Sequence, residues 1–471
     1  MSAPATTEKK YLKWYQKLAY GSGDLASNCS YGLVSSFVLL YLTGTMGLDS
    51  AIIGSLMLAS KVLDGISDVI FGTLIDRTHS KLGKARPWML FGQVGVSLCL
   101  FLLFAIPAGS TTMQYIYFFI VYTALNAVFY TANGIAYSSL VALITKNNNE
   151  RVQLGSFRFM FAVVTNIFMG FAVTGMVEKF GSGAAGWRTT ALIFAIVGLV
   201  VNTISCLAVK ELPEEELSGN TSEAAEEGKA VAEEKKHGFA ETAKILIHNK
   251  YYLMILAIYI VYYIMSNLTT GAGVFCATYY WGDGSLLGQF SMMKMFPVII
   301  ALAIAPVLIK KTGSMQKVNF WGYAISSVLG IPMIYFAMQK NISMFLLFMF
   351  IKGIFAGTLS GSLNALIAEA SGYTTRTTGV HMDGMMYSCS SLGVKVGGGI
   401  GTAAVGWLLK LGGFVGTATV QSESAIRMIF NLYITFPFIL GIVITVLLAF
   451  LDVEKANKKW DADHAQKEAQ A

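Results

Sequence analysis

Charge is what this 471-residue chain has least of. Asp, Glu, Lys and Arg make up 13% of it, about half the roughly 25% usual in a soluble globular domain, while 55% of its residues are hydrophobic. A soluble fold of that balance would be hard to keep dispersed, so the composition places the chain in a membrane. Histidine is sparse as well. The five present (His79, His237, His248, His381, His464) are scattered, four of them in predicted polar loops or the tail and none in a metal motif. That absence of a water-activating constellation argues against a membrane enzyme acting on lipid or glycan. The five cysteines (Cys29, Cys99, Cys206, Cys276, Cys389) lie in apolar segments without metal-ligand spacing, which speaks against a disulfide frame or a zinc site and for buried thiols. No cleavable leader is evident, because polar Met1 to Lys17 runs into a long helix rather than a short apolar core with a small-residue cleavage site. The net charge of +7 is spread over many short loops, not gathered into a patch, and so does not indicate nucleic acid.

What the chain does have is long apolar runs. Segments near the 20 residues that cross a bilayer core recur at 19–46, 50–76, 88–108, 114–144, 157–178 and 188–209, then at 252–281, 286–309, 319–338, 343–371, 385–410 and 426–450. These predict an all-α integral membrane protein of twelve transmembrane helices in two six-helix bundles. The expected domains are 1–209, a linker at 210–250, 251–450 and a polar tail at 451–471. The linker, rich in Glu (Glu214, Glu215, Glu216, Glu226, Glu227, Glu233, Glu234), is expected to be solvated and partly helical. The 47 glycines suit close helix packing. Most of the 34 Lys and Arg fall in the N-terminus, the even-to-odd loops, the linker and the tail, which places both termini on the cytoplasmic side of a cell (inner) membrane. The halves also share a loop signature, Gly72-Thr-Leu-Ile-Asp76-Arg77-Thr-His-Ser-Lys81-Leu-Gly83-Lys84 and Ala305-Pro306-Val-Leu-Ile-Lys310-Lys311-Thr-Gly313, which predicts an internal repeat.

Polar residues inside the spans carry the functional reading. An ionisable group at membrane depth costs roughly 2.5–3.5 kcal/mol on insertion scales, so Asp64 and Asp68 in one span mark a functional site. Four residues rotate a helix by about 400°, leaving the two carboxylates about 40° apart and able to grip one small cation. Lys61 faces the same side and can offset part of that charge. In span one, Asp24, Asn28, Tyr31 and Ser35 form a stripe; in span four Asn126, Tyr130, Asn133 and Tyr137 do, with Thr131 beside them. Span seven offers Tyr263, Asn267 and Thr270, and span eleven Tyr387, Ser391 and Lys395. Hydroxyls and amides suit sugar hydroxyls and aromatic rings suit a pyranose face, although the same residues also serve as bonds between packed helices. Asp24 is also open to a structural ion pair, with Arg158 or Lys395 as the cationic partner. Lys294 and Lys352 have three open readings: snorkelling, pairing with Glu369, or binding an anionic solute. The run Gly393 to Gly401 lacks the features of a phosphate loop and reads as close helix packing. Pro297, Pro306, Pro332 and Pro437 are expected to bend spans eight, nine and twelve.

The loop signatures resemble those of the major facilitator superfamily. Asp64-Gly-Ile-Ser-Asp68 with Gly72, Asp76, Gly83-Lys84 and Arg86-Pro87-Trp88, together with Tyr20-Gly-Ser-Gly-Asp24, Tyr130-Thr131, Phe157-Arg158-Phe159 and Val394-Lys395, resembles the glycoside-pentoside-hexuronide:cation symporters over about residues 15 to 450. The resemblance implies a major facilitator fold and a cation site of Asp64, Asp68 and Thr131 organised by Lys395. It implies a sugar site in which Asp24 contacts hydroxyls and Arg158 shapes the pocket, beside Asn28, Tyr31, Tyr130, Asn133, Tyr137 and Lys395 from the stripes. Lys61 stands where the family's melibiose carrier has arginine, keeping charge but losing the planar fork. Gly134 and Ser138 align with that carrier's sugar-binding aspartate and stacking tryptophan, so a different glycoside, a pentoside or a hexuronide is equally open, with Tyr137 as a substitute ring. The expected function is cation-coupled import of such a sugar by alternating access. The alternatives are a sodium-coupled carrier of a non-sugar solute, or a non-transporting sugar sensor. No cofactor is expected beyond co-transported Na⁺, H⁺ or Li⁺, and a monomer is the default.

Overall fold

The structure, a computed structural model, describes residues 9–213, 245–379, 383–418 and 420–470. Most of the expected linker, with His237 and His381, lies outside the described residues. Described secondary structure is helical throughout. The helices are α1 (Trp14–Thr45), α2 (Ser50–Asp76), α3 (Arg86–Leu103), α4 (Thr111–Ile144), α5 (Asn148–Lys179) and α6 (Gly183–Leu207). They continue as α7 (Lys250–Trp281), α8 (Leu286–Thr312), α9 (Met315–Met338), α10 (Ile342–Thr378) and α11 (Asp383–Leu411). The twelfth, α12, runs from Glu423–Phe430 through Asn431–Thr435 into Phe436–Phe450, and α13 (Val453–Gln470) follows. Among the described residues, eleven helical stretches are long and apolar enough to cross a membrane, the last running from α12 into α13. The 27-residue α2, which carries Lys61, Asp64 and Asp68, is not one of them.

The described residues form two packed units: α1–α6 with Gly284–Gly288 and Phe414–Gln421 in one, α7–α13 in the other. Val62, Ile66, Val69 and Val164 of the first and Val307, Val328 and Phe450 of the second are exposed. Apolar surface on that scale is stable against lipid and not against water. All five cysteines are free and buried.

Several helices overrun the apolar stretches because hydropathy reads only the part in lipid. α5 starts at Asn148 rather than near 157: the Asn147 side chain accepts the Glu150 N–H at 3.1 Å and caps a polar first turn. Glu150 in turn accepts the N–H groups of Tyr11 and Leu12, the Thr145 hydroxyl at 2.7 Å and the Lys17 ammonium at 3.0 Å.

The repeat expected from the loops has a physical basis at the ends of α3 and α9. Gly83 (φ +111°) lets the Glu211 carboxylate reach the first turn of α3, where it accepts the N–H groups of Lys84, Ala85 and Arg86 at 2.7–3.0 Å. Gly313 (φ +64°) precedes α9, where Glu454 accepts from Met315 and Gln316 at 2.8 and 3.1 Å and from the Ser314 hydroxyl. In each half an acid just beyond the sixth helix caps the third. The backbones also widen alike, with π-helical turns closing α1 (Tyr41–Thr45) and α7 (Cys276–Trp281). The glycine run of α11 packs on α7 as expected: a Cβ on Gly397 or Gly401 would stand 2.5 or 2.7 Å from the carbonyl oxygen of Ile260 or Ile264.

Candidate functional site

Two polar clusters lie inside the N-terminal unit. The first joins α2 to α4. Asp64 accepts a hydrogen bond from the Thr131 hydroxyl at 2.7 Å, and its other oxygen is 3.6 Å from the Lys61 ammonium. The side chains of Lys61 and Asp64 retain only 20% and 14% exposure, and Asp68, one turn on, is half-buried. At that separation an effective dielectric near 20 gives an attraction of about 4 kcal/mol, yet the gap exceeds a hydrogen bond. Lys61 is thus close enough to offset the charge and loose enough to be displaced. Thr131 owes its position to a π-helical turn, Ala124–Tyr130, that ends just before it. The same hydroxyl lies 2.9 Å from the Asn126 carbonyl oxygen. One proton therefore has two acceptors: turned to Asn126, it leaves the hydroxyl oxygen free to face a cation beside Asp64.

The second cluster is built around a break in α1. Helical residues Trp14–Gly21 and Gly23–Leu40 meet at Ser22, and the flanking glycines admit close neighbours. A Cβ on Gly21 would stand 2.6 Å from Cβ of Phe157, and one on Gly23 would stand 2.8 Å from the Tyr137 ring and from Oγ of Ser205. That approach brings Asp24 to the Arg158 guanidinium, Nε to Oδ2 at 2.5 Å. The Tyr137 hydroxyl donates to the Tyr20 carbonyl at 2.8 Å and lies 3.3 Å from the same Asp24 oxygen, while the guanidinium sits 4.2 Å over its ring. Asn28 donates to the Asp24 carbonyl at 2.7 Å and accepts from Asn166 at 2.9 Å. Tyr31, two turns beyond Asp24, stacks on Tyr130 with centroids 5.8 Å apart, and Tyr130 adjoins Thr131. The stacked pair links the two clusters.

Not every expected residue joins them. Asn133 is buried, and its amide is committed to the Met89 carbonyl at 3.0 Å, Gln93 at 3.1 Å and Asn202 at 3.5 Å. It ties α4 to α3 and α6. Tyr137 is 2% exposed, so its ring orients Arg158 and presents no open face to a pyranose. Asp24 takes Arg158 as its cationic partner, and Lys395 belongs to the other unit. Nothing lies within 4 Å of the place a Cβ on Gly134 would occupy, so the helix is open at that position. Tyr20 entered the sequence reading only within the Tyr20–Asp24 motif, and Asn166 and Ser205 were not singled out, being small polar groups inside apolar spans.

The N-terminal unit thus holds a carboxylate between a lysine and a hydroxyl, and a pair of stacked rings beside an acid–guanidinium pair. A family described as MFS/sugar transport protein matches residues 19–455. The isoprimeverose transporter of Lactiplantibacillus pentosus is 26% identical, covering 100% of this chain and 96% of that one. A putative glycoside/cation symporter of Escherichia coli strain K12 is 24% identical over 95% of this chain and 93% of that one. The crystal structure of a D-xylose–proton symporter superposes with a TM-score of 0.64 at 11% identity, covering 94% and 98% of the two chains, a likeness of fold. The chain belongs to the MFS/sugar transport protein family, the glycoside-pentoside-hexuronide:cation symporters of the major facilitator superfamily, and is a multi-pass membrane transporter rather than an enzyme.

Proposed function

We propose that this transporter imports a sugar of the glycoside, pentoside or hexuronide class together with Na⁺, H⁺ or Li⁺. Asp64, Asp68 and Thr131 bind the cation, and Lys61 takes its place on Asp64 when the ion leaves. Asp24, Arg158 and Asn28, with the Tyr31–Tyr130 pair and the space beside Gly134, receive the solute. Both termini and the 210–250 segment face the cytoplasm in a cell (inner) membrane, and the working unit is a monomer.

The observation that carries the reading is the 2.7 Å contact between Thr131 and Asp64, with Lys61 3.6 Å from the other carboxylate oxygen. The hydroxyl is a donor that can turn to the Asn126 carbonyl and leave the acid to a cation. Sugar hydroxyls can share Asp24 and Arg158, since a carboxylate accepts four bonds and a guanidinium donates five. Coupling needs only that each ligand raises the affinity for the other, typically 5–150-fold.

The test is uptake of labelled sugars into proteoliposomes under an imposed Na⁺ or pH gradient. Asp68→Asn should abolish stimulation by the cation while the protein remains folded in the membrane. Stimulation equal to wild type in that variant would remove the acid pair from the mechanism.

A further inference from the structure

The second unit contains a cavity of about 190 Å³ whose charged lining is two lysines, Lys294 of α8 and Lys352 of α10. Both line it because the two helices cross at close range. A Cβ on Gly353 would stand 2.8 Å from Pro297 and 3.6 Å from the Met293 carbonyl oxygen, and one on Gly357 would stand 2.7 Å from Ala301. Each lysine is the chain neighbour of a residue in that contact, Met293 or Gly353. Among the residues lining the cavity there is no Asp, Glu or His. Lys294 donates to the neutral hydroxyl of Thr270 at 3.1 Å. Glu369, the acid the sequence offers to both lysines, accepts instead from the Asn457 amide at 2.9 Å.

Snorkelling does not account for the pair, because both lie roughly two to three turns inside their helices, away from the ends where a long stem reaches the interface. Two ammonium groups sharing a cavity at membrane depth repel each other and are poorly solvated, and such residues mark solute pathways. A carboxylate relieves both conditions at once. The hydroxyls of Tyr262, Ser266, Thr269, Ser326 and Ser360 add donors and acceptors for a polyol around it.

We propose that Lys294 and Lys352 form an anion site in the second unit that takes the carboxylate of a sugar acid. The inference rests on the symporter reading for the presence of a transported sugar and goes beyond it in naming the charge. Purified full-length protein is titrated with methyl glucuronide and methyl galacturonide, with the neutral methyl glucoside and galactoside, and with sodium acetate. At least one uronide is expected to bind ten times more tightly than its neutral counterpart. Lys294→Gln and Lys352→Gln should each lower uronide affinity about tenfold and leave neutral-sugar affinity unchanged, and Lys294→Arg should retain most of it. Residual neutral-sugar binding shows that the variants fold. Equal binding of acid and neutral sugars, equal loss on both in the Gln variants, binding of no uronide, or stabilisation by acetate as large as by uronide overturns the site. The symporter reading has a separate readout: it fails only if neither class of sugar enters proteoliposomes in response to a cation gradient.

Discussion

At Thr131 a single hydroxyl proton has two acceptors, Asp64 and the Asn126 carbonyl, and that makes its proposed role separable from its neighbours by substitution. Thr131→Val keeps the volume but removes the oxygen, so cation affinity should fall about tenfold, the loss of roughly 1.4 kcal/mol expected for one bond to a charged partner. Thr131→Ser should restore it. The cation dependence of uptake reads both, and a Val variant with the wild-type half-saturation would exclude Thr131 as a ligand. Asp24 and Arg158 make a different prediction, because removing one partner leaves a charge uncompensated and removing both does not. Asp24→Asn and Arg158→Gln should each lower the melting temperature, and the double variant should lose less than the sum, with a coupling of about 1–3 kcal/mol. A strictly additive cycle means the 2.5 Å contact contributes nothing. The acids stood out in the sequence because charge in an apolar run is conspicuous and helical spacing places it; Thr131 as a ligand was reached only through the family resemblance. Asn133 was misplaced for a physical reason: the wide turn at Ala124–Tyr130 shifts the period, so positions before and after it no longer share a face.

Elements are held at their ends by residues that hydropathy cannot register. Glu211 and Glu454 lie just beyond the sixth and twelfth helices and read as loop acids, yet each gathers N–H groups at the start of a helix far along the chain. Charge-assisted bonds of this kind are roughly twice as strong as neutral ones. Glu211→Gln and Glu454→Gln should therefore each cost about 1–3 kcal/mol, read as a lower melting temperature in detergent, while Glu178→Gln, exposed at the end of α5, serves as a neutral control. If the control falls as far as the other two, the caps are not the cause. The break in α1 invites a sharper change. Gly23→Val must displace the Tyr137 ring, and with it the support of Arg158, so solute affinity should drop while cation binding at Asp64 persists. Among the described residues the twelve long apolar helices were readable, since twenty apolar residues admit few alternatives, whereas α13 fell in what read only as a polar tail. The π-helical turns were not, because widening a turn by one residue leaves no composition signal.

On the scale of the whole molecule, a symporter is defined by linkage rather than by any one contact. The stacked rings of Tyr31 and Tyr130 lie between the Asp64–Thr131 cluster and the Asp24–Arg158 pair, the proposed ion and solute sites. If they transmit the coupling, Tyr130→Ala should leave each ligand able to bind alone but shrink their mutual effect. The measurement is a melting curve of purified protein with solute, with cation and with both. For independent sites the two shifts add, and for linked sites the joint shift exceeds their sum, because a ligand stabilises the state it binds in proportion to the logarithm of its occupancy. Wild type should show that excess, corresponding to a 5–150-fold gain in affinity. Tyr130→Ala should bring it close to additivity. An undiminished excess in the variant places the coupling outside the N-terminal unit's aromatic pair, whereas a loss of all cation binding shows that Tyr130 shapes Thr131 and its turn rather than relaying between the clusters.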